Sequence, residues 1–138
     1  MRGSAARVSV VPEMFITTKL DGEFQLNPGV TRIAQREYNA AHGIVAESWS
    51  PFGGGGAELL TSPVITSLAE RLGRTPGQVV LRWHIKLGLV AIPKSATPAR
   101  LAANLDAFDF ELSAEDLLEI AVLDGGPDAG VDSDVTGH

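Results

Sequence analysis

The segment spanning residues 79–104 constrains the fold of this chain more than any other part of the sequence. Its apolar spacing predicts an amphipathic helix that ends near Gly88, followed by a short apolar strand at 89–92. A turn follows the strand, and a second helix begins after it. A short buried strand between two helices is typical of an α/β protein with a parallel sheet.

Three polar side chains follow the carboxyl end of this strand, namely Lys94, Ser95 and Arg100. The strand's end and the first turn of the next helix form a corner where backbone N–H groups and the positive end of the helix favour anions. A cation near a helix start opposes the helix dipole, so a purely stabilising role for a solvated Lys94 and Arg100 is the weaker interpretation. The sequence therefore predicts a phosphate-binding corner.

Periodicity and turn residues predict two further strands, at 15–19 and 44–49, and five helices in all. Hydroxyl residues followed by proline predict three helix starts, with N-caps at Ser62, Thr75 and Thr97. The pairing of Ser113 with Asp116 predicts a capping box at the start of the last helix. Apolar stripes are expected on these helices, including Leu101, Leu105 and Phe108 on one and Leu117, Leu118, Ala121 and Val122 on another.

The remaining helix is predicted from the spacing of Ile33, Ala34, Tyr38 and Ala41, with Gly43 as its stop. Tyr38 is interpreted as a core residue because it lies on this stripe. His84, beside Trp83 on the helix before the third strand, is interpreted as structural. We expect α/β architecture with about three parallel strands and outer helices, which is too few strands to close a barrel.

Composition narrows the function classes. The chain has 138 residues, a net charge of -6 and 44% hydrophobic residues, as a globular domain does. Its eleven scattered Lys and Arg predict no nucleic-acid partner, and no apolar run is long enough to predict a membrane span. The absence of cysteine excludes disulfides, and three dispersed histidines predict no metal site. The opening residues lack the apolar core of a signal peptide, so a cytoplasmic location is expected.

Residues from Leu26 to about Gly125 resemble the C-terminal part of the aldo-keto reductases. The matching motifs are Leu26-Asn27-Pro28, His42-Gly43-Ile44-Val45, Glu47-Ser48-Trp49-Ser50-Pro51, Arg74-Thr75-Pro76-x-Gln78-Val79-Val80-Leu81-Arg82-Trp83, Ile92-Pro93-Lys94-Ser95 with Arg100 and Asn104, and Asp109-Phe110-Glu111-Leu112-Ser113. They follow the family's order and spacing. The resemblance implies a (β/α)8 barrel that uses NADPH to reduce an aldehyde or ketone by hydride transfer.

The N-terminal residues 1–25 also resemble the family, at the position of its third barrel strand. In the family, a far longer segment separates this strand from the Leu-Asn-Pro turn than in the present sequence. A (β/α)8 barrel takes about 250 residues. We therefore expect one incomplete domain, with the barrel part at 26–125 and a flexible tail at 126–138. Three explanations stay open: an internal deletion, segments of a longer protein omitted from this sequence, or a reduced relative assembled from several chains. The first two are favoured.

The resemblance also implies residue roles. Lys94, Ser95 and Arg100 would hold the 2′-phosphate and adenine end of NADPH, with Thr97 and Asn104 beside them. Trp49 would stack on the nicotinamide ring, although a plain core position is the alternative. Ser50 and the following loop, with Phe52 and Gly53, would wrap the pyrophosphate. A glycine run alone is weak evidence for such a role.

For catalysis, the resemblance implies that Lys19 lowers the pKa of a catalytic tyrosine in a complete member. That tyrosine, its partner aspartate and the substrate-facing histidine have no counterpart here, since Tyr38 does not match the catalytic position. We therefore expect little or no turnover of a small carbonyl substrate by this chain. The alternative is a non-catalytic NADPH-binding remnant, or a half-barrel scaffold that self-associates through open sheet edges.

Overall fold

A computed structural model describes residues 17–20, 30–49, 51–52 and 58–123 of the chain. Within this part, three strands form one parallel sheet in the order β1-β2-β3. The strands are β1 (Thr17–Leu20), β2 (Val45–Trp49) and β3 (Val90–Ile92). The expectation of an α/β fold with about three parallel strands and outer helices is confirmed.

Six α-helices alternate with or follow the strands along the chain. They are α1 (Val30–Ala41), α2 (Glu58–Thr61), α3 (Pro63–Leu72), α4 (Pro76–Lys86), α5 (Pro98–Leu105) and α6 (Ala114–Ala121). A 3₁₀ turn at Asp106–Phe108 extends α5. The short helix α2 was not expected from the sequence, because four residues are too few to show helical periodicity.

The strand register aligns the carboxyl ends of β2 and β3. Trp49 pairs with Ile92, and Glu47 pairs both with Val90 on one side and with Lys19 on the other. The turn after β3 and the chain after β2 therefore leave the sheet at the same edge. In parallel α/β sheets, ligands bind at this edge.

The main hydrophobic core lies between α3, α4 and α6 rather than on the sheet. Leu68 and Val79 are completely buried, and Ile65, Trp83 and Ile120 are nearly so. The carboxylate of Asp116 in α6 accepts a hydrogen bond from Arg71 in α3 at 2.5 Å, and Glu119 accepts a second one at 2.9 Å. These hydrogen bonds join α3 to α6 at the edge of the core.

The N-caps follow the predicted pattern only in part. Thr75 and Ser113 each form a complete capping box, with Gln78 and Asp116 respectively. Ser62 and Thr97 occupy N-cap positions, but their side chains form no capping hydrogen bond. Proline at the first helical position already fixes the start of each of these helices, which leaves the cap hydroxyl optional.

Two sequence-based interpretations of packing were wrong. Tyr38, expected in the core, is 56% exposed and stacks on the His42 ring with centroids 4.0 Å apart. Among the α1 side chains that the structure describes, Asn39 is buried and Ile33 is exposed. The face of α1 turned toward β2 is thus rotated away from the apolar stripe that periodicity selects.

The second correction concerns the stripes on α5 and α6. Leu105, Phe108, Leu118 and Val122 are all more than 60% exposed, and α5 has no buried residue. Val90 and Ile92 on β3 are also about half exposed. Apolar periodicity reports which face is suited to burial, but burial also needs a partner element, and the described part of the chain supplies none for these faces.

No helix in the described residues has the length and apolarity to cross a membrane. The expected tail at 126–138 and the Leu26-Asn27-Pro28 turn lie outside the described residues.

Candidate functional site

A cleft of about 500 Å³ opens where the turn after β3 meets the N-terminal ends of α4 and α5. Its volume falls in the range typical of small-molecule sites, about 300–1,000 Å³. Its lining comprises two cations, several small or apolar side chains and a few polar groups: Phe52, Leu60, Thr75, Gly77, Lys94, Ser95, Ala99, Arg100, Ala103 and Asn104.

One face of α5 forms a wall of the cleft. Arg100, Ala103 and Asn104 are spaced at i, i+3 and i+4, which places them side by side on a helix. Arg100 lies in the first turn of α5 and Asn104 one turn later. The predicted grouping of Lys94, Ser95, Arg100 and Asn104 around one site is thus present in the geometry.

Within the part of the chain that the structure describes, neither cation of the cleft has a carboxylate partner. Of the ion pairs formed by described residues, those of Arg71, Arg82 and Lys86 go to acidic side chains, and neither Lys94 nor Arg100 takes part in one. Both side chains are exposed at the cleft. Two unneutralised positive charges beside a helix N-terminus make this a favourable position for an anionic group.

The turn that leads into α5 is held by the hydroxyl of Ser95. This oxygen accepts a hydrogen bond from the backbone N–H of Thr97 at 3.3 Å. Ser95 lines the cleft, whereas Thr97 is exposed and is not a lining residue. The bond shapes the turn so that Lys94 and Arg100 border the same space.

Phe52 lines the cleft on the side of α4, and its predicted contact with a cofactor stays a prediction. Its ring sits against α4, where a Cβ added at Gly77 would lie 3.7 Å from Phe52 Cε1 and Cζ. Leu60 of α2 continues this apolar surface. The cleft therefore combines a cationic rim with an apolar wall, which suits a planar aromatic group that carries phosphate.

Sequence reasoning missed several lining residues, including Leu60, Thr75 and Gly77. A usable signal was present at Thr75-Pro76, since this pair predicts a helix N-terminus and such ends favour anions. The N-terminal ends of α4 and α5 begin 22 residues apart, at Pro76 and Pro98, and no local sequence pattern predicts that they lie together. Leu60 belongs to α2, whose existence was itself unexpected.

For the other predicted site residues, the structure describes the backbone alone or does not describe the residue. The backbones of Lys19 and Trp49 lie in β1 and β2, and Trp49 stands in register with Ile92 at the carboxyl edge of the sheet. Ser50 and Gly53 lie outside the described residues. The roles of all four stay predictions.

His84 and the carboxylates of α6 lie apart from the cleft. His84 is completely buried, its Nδ1 is 2.8 Å from the Val80 carbonyl, and its ring stands edge-on to Trp83 at 4.7 Å. Burial lowers its pKa to about 4, although the hydrogen bond to Val80 acts in the opposite direction. The side chain is a packed neutral imidazole, as the structural interpretation expected. In the described part of the chain, no three metal-ligating side chains come together.

Comparison with known proteins identifies the family. The family model described as "Aldo/keto reductase family" matches residues 15–124. An aldo-keto reductase of Mycolicibacterium smegmatis is 48% identical over 110 residues, which are 80% of this chain and 39% of that protein. Methylglyoxal reductase DkgA of Escherichia coli is 44% identical over 120 residues, covering 87% of this chain and 44% of the relative.

Solved structures agree with this assignment. The crystal structure of a Gox0644 variant in complex with NADPH superposes with a TM-score of 0.72 at 39% identity, over 89% of this chain and 43% of that one. The structural neighbours are (β/α)8 barrels, so the predicted barrel parentage is confirmed. The chain spans about two fifths of the length of the relatives it matches. Because the family model covers most of its residues, this chain belongs to the aldo/keto reductase family.

Proposed function

We propose that the cleft binds the adenosine 2′-phosphate end of NADPH, and that the chain provides the cofactor-binding part of an NADPH-dependent aldehyde or ketone reductase. The observation that carries the proposal is the convergence of Lys94, Ser95, Arg100 and Asn104 on one cleft. A relative with 39% identity has been solved with NADPH bound.

The residues of the cleft fit the chemistry of this ligand. The guanidinium of Arg100 can donate two parallel hydrogen bonds to a phosphate, and the ammonium of Lys94 adds a second charge. Neither has to abandon an ion pair with a described carboxylate to do so. Phe52, Leu60 and Ala103 offer apolar surface for the adenine ring, and Asn104 and Ser95 offer polar groups at its edge.

The remainder of the cofactor would extend along the carboxyl edge of the sheet. The register of Trp49 with Ile92 supports this path, because it brings the end of β2 level with the turn that carries Lys94. We assign Trp49 to the nicotinamide ring, and Ser50, Phe52 and Gly53 to the pyrophosphate, on the family resemblance. Thr97 is assigned beside the phosphate on the same basis.

Bound NADPH supplies a hydride for a carbonyl carbon, and the carbonyl oxygen then needs a proton. The chain contains one tyrosine, Tyr38, which is exposed on α1 and does not line the cleft. We propose that Lys19 retains its family position without a tyrosine to act on. Because a positioned general acid contributes about 10²–10⁴-fold to rate, we propose that this chain alone binds NADPH with little or no turnover.

The test is a titration with NADPH followed by intrinsic tryptophan fluorescence, and then an assay with a reactive aldehyde. Methylglyoxal is a suitable probe, because the Escherichia coli relative is named for it. We expect saturable quenching and an oxidation rate of NADPH close to the background. Turnover at rates typical of enzymes, a median of about 10 s⁻¹, would show that the chain has an unassigned proton donor. Absence of any saturable NADPH response would contradict the binding proposal itself.

A second proposal concerns self-association. In the described sheet, β1 and β3 each have one neighbour, and Val90 and Ile92 of β3 are 45% and 52% exposed. Beside β3, a groove of about 340 Å³ is lined by Leu105 and Phe108, which are also exposed. Open apolar strand edges recruit further chains.

We therefore expect sedimentation velocity to show species larger than the 14.5 kDa monomer. Charged substitutions on the strand edge test the origin of the association. Val90→Lys with Ile92→Lys should shift the population to monomer, while Leu118→Lys on the exposed face of α6 should leave it unchanged. A wild-type chain that is monomeric at high concentration would contradict this proposal.

A further inference from the structure

Gln78 stands beneath the cleft, where the N-terminal end of α4 approaches α5. Its side chain is 6% exposed, so it is nearly enclosed although it is polar. A buried amide has two donor hydrogens and an acceptor oxygen to satisfy. The structure shows that Gln78 uses the two ends of its amide for different helices.

The oxygen end belongs to the capping box of α4. Oε1 accepts hydrogen bonds from the backbone N–H of Thr75 at 2.8 Å and from the Thr75 hydroxyl at 3.1 Å. The backbone N–H of Gln78 donates in return to Thr75 Oγ1 at 3.2 Å. A glutamate would serve this cap equally well, since capping boxes use Glu and Gln alike.

The nitrogen end leaves α4 altogether. Nε2 donates to the backbone carbonyl of Ala103 in α5 at 3.0 Å. Ala103 lies in the last turn of α5, where carbonyl oxygens run out of partners within the helix. Capping does not require this bond, and a glutamate at position 78 could not make it.

The bond holds the face of α5 that borders the cleft. Ala103 lies between Arg100, one turn earlier, and Asn104, the next residue, and all three are lining residues. Thr75 and Gly77, beside the other end of the same amide, line the facing wall. The Gln78 side chain therefore connects the two walls of the cleft, one at the start of α4 and the other on α5. The reach of this side chain limits how far apart the two walls can lie.

We propose that Gln78 is a positioning residue that couples the α4 cap to α5 and thereby sets the distance of Arg100 from a 2′-phosphate bound in the cleft. This inference rests on the proposed function of the cleft. Burying the Gln78 amide costs free energy, because its polar atoms lose contact with water. The amide nitrogen, which the capping box does not use, donates to α5, the helix that carries Arg100.

The test measures binding of adenosine 2′,5′-bisphosphate and of 5′-AMP, which lacks the 2′-phosphate, by calorimetry. Gln78→Met removes both ends of the amide, while Gln78→Glu keeps the cap acceptor and removes the donor to Ala103. We expect each variant to lose about tenfold in affinity for the bisphosphate, as for the loss of one or two hydrogen bonds. The affinity for 5′-AMP should change by less than about threefold.

A matched control separates positioning from general stability. Ser113→Ala breaks a second capping box, on α6, where Ser113 Oγ accepts a hydrogen bond from the Asp116 N–H at 3.1 Å. It should lower the melting temperature by a few degrees, as the loss of one cap does. We expect it to leave the affinity for the bisphosphate unaltered.

A double-mutant cycle with Arg100→Ala decides whether Gln78 acts through Arg100. If it does, Gln78→Met and Gln78→Glu have almost no further effect in the Arg100→Ala background. Direct repulsion between a glutamate and the phosphate would instead persist there. Additive losses, or full bisphosphate affinity in both variants, would overturn the inference. If the wild-type chain does not bind the bisphosphate, the proposed function itself is overturned. This outcome is distinguishable from a failure of the Gln78 inference, because it needs only the wild-type chain.

Discussion

Replacing Arg100 by alanine is expected to weaken NADPH binding by about ten- to a hundredfold while changing NADH binding by less than about threefold. Hydrogen bonds to a charged group contribute about 1.5–3 kcal/mol, and each 1.4 kcal/mol is a factor of ten in affinity. NADH lacks the 2′-phosphate that this guanidinium would contact. The measurement is the ratio of the two dissociation constants, obtained by the same fluorescence titration.

Two controls make the Arg100 result specific. Arg100→Lys keeps the positive charge but loses the planar fork, so its loss for NADPH should be intermediate. Arg100→Ala should fold at least as stably as the wild type, because a cation in the first turn of α5 opposes the helix dipole, and Arg100→Lys should be as stable as the wild type because it keeps that charge. An equal weakening of NADPH and NADH by Arg100→Ala would remove the 2′-phosphate assignment.

The cationic part of this site could be predicted from the sequence because it is local. Lys94, Ser95 and Arg100 lie within one strand-turn-helix unit, whose order follows from apolar spacing and from the Thr97-Pro98 pair. The apolar wall could not be predicted in the same way. Leu60 and Gly77 reach the cleft through the packing of α2 and α4, and no short-range pattern specifies that packing.

The fold shows the same division. The three strands and the five longer helices follow from periodicity and capping residues, with ends within about three residues of those expected, as is usual for such boundaries. The burial of Tyr38 and Leu105 was predicted wrongly, because α1 turns a different face toward β2 and because no described element covers the apolar face of α5. An apolar stripe records the face that a helix can bury, whereas actual burial depends on which elements are present to cover it.

His84 provides the second large expected effect, a loss of stability in mildly acidic solution. Its pKa in the folded chain is lowered from 6.5 to about 4, because the imidazole is completely buried. As a neutral group it places Nδ1 against the Val80 carbonyl, whereas protonation would put a proton on Nε2, which has no hydrogen-bond partner in the described residues. The buried site therefore disfavours the charged form.

The direction of the pH effect follows from this lowered value. Below pH 6.5 the unfolded chain takes up a proton at His84 that the folded chain does not accept until about pH 4. The free energy of unfolding therefore decreases as the pH is lowered across this window. We expect the free energy of unfolding to drop by about 2 kcal/mol between about pH 7.5 and about pH 5, and by about 3 kcal/mol near pH 4. Urea titrations followed by the fluorescence of buried Trp83 measure it at each pH.

A non-titrating variant isolates the contribution of this one side chain. His84→Gln keeps an N–H donor within reach of the Val80 carbonyl but cannot take up a proton. Its stability should be nearly constant from about pH 7.5 to about pH 5, above the range in which ion-paired carboxylates lose their charge. Glu111 is one of these, since the hydrogen bond from Lys86 lowers its pKa and its contribution is lost only in more acidic solution. A wild-type slope that persists in His84→Gln would assign the pH dependence to another group, because the variant has no titrating imidazole at position 84.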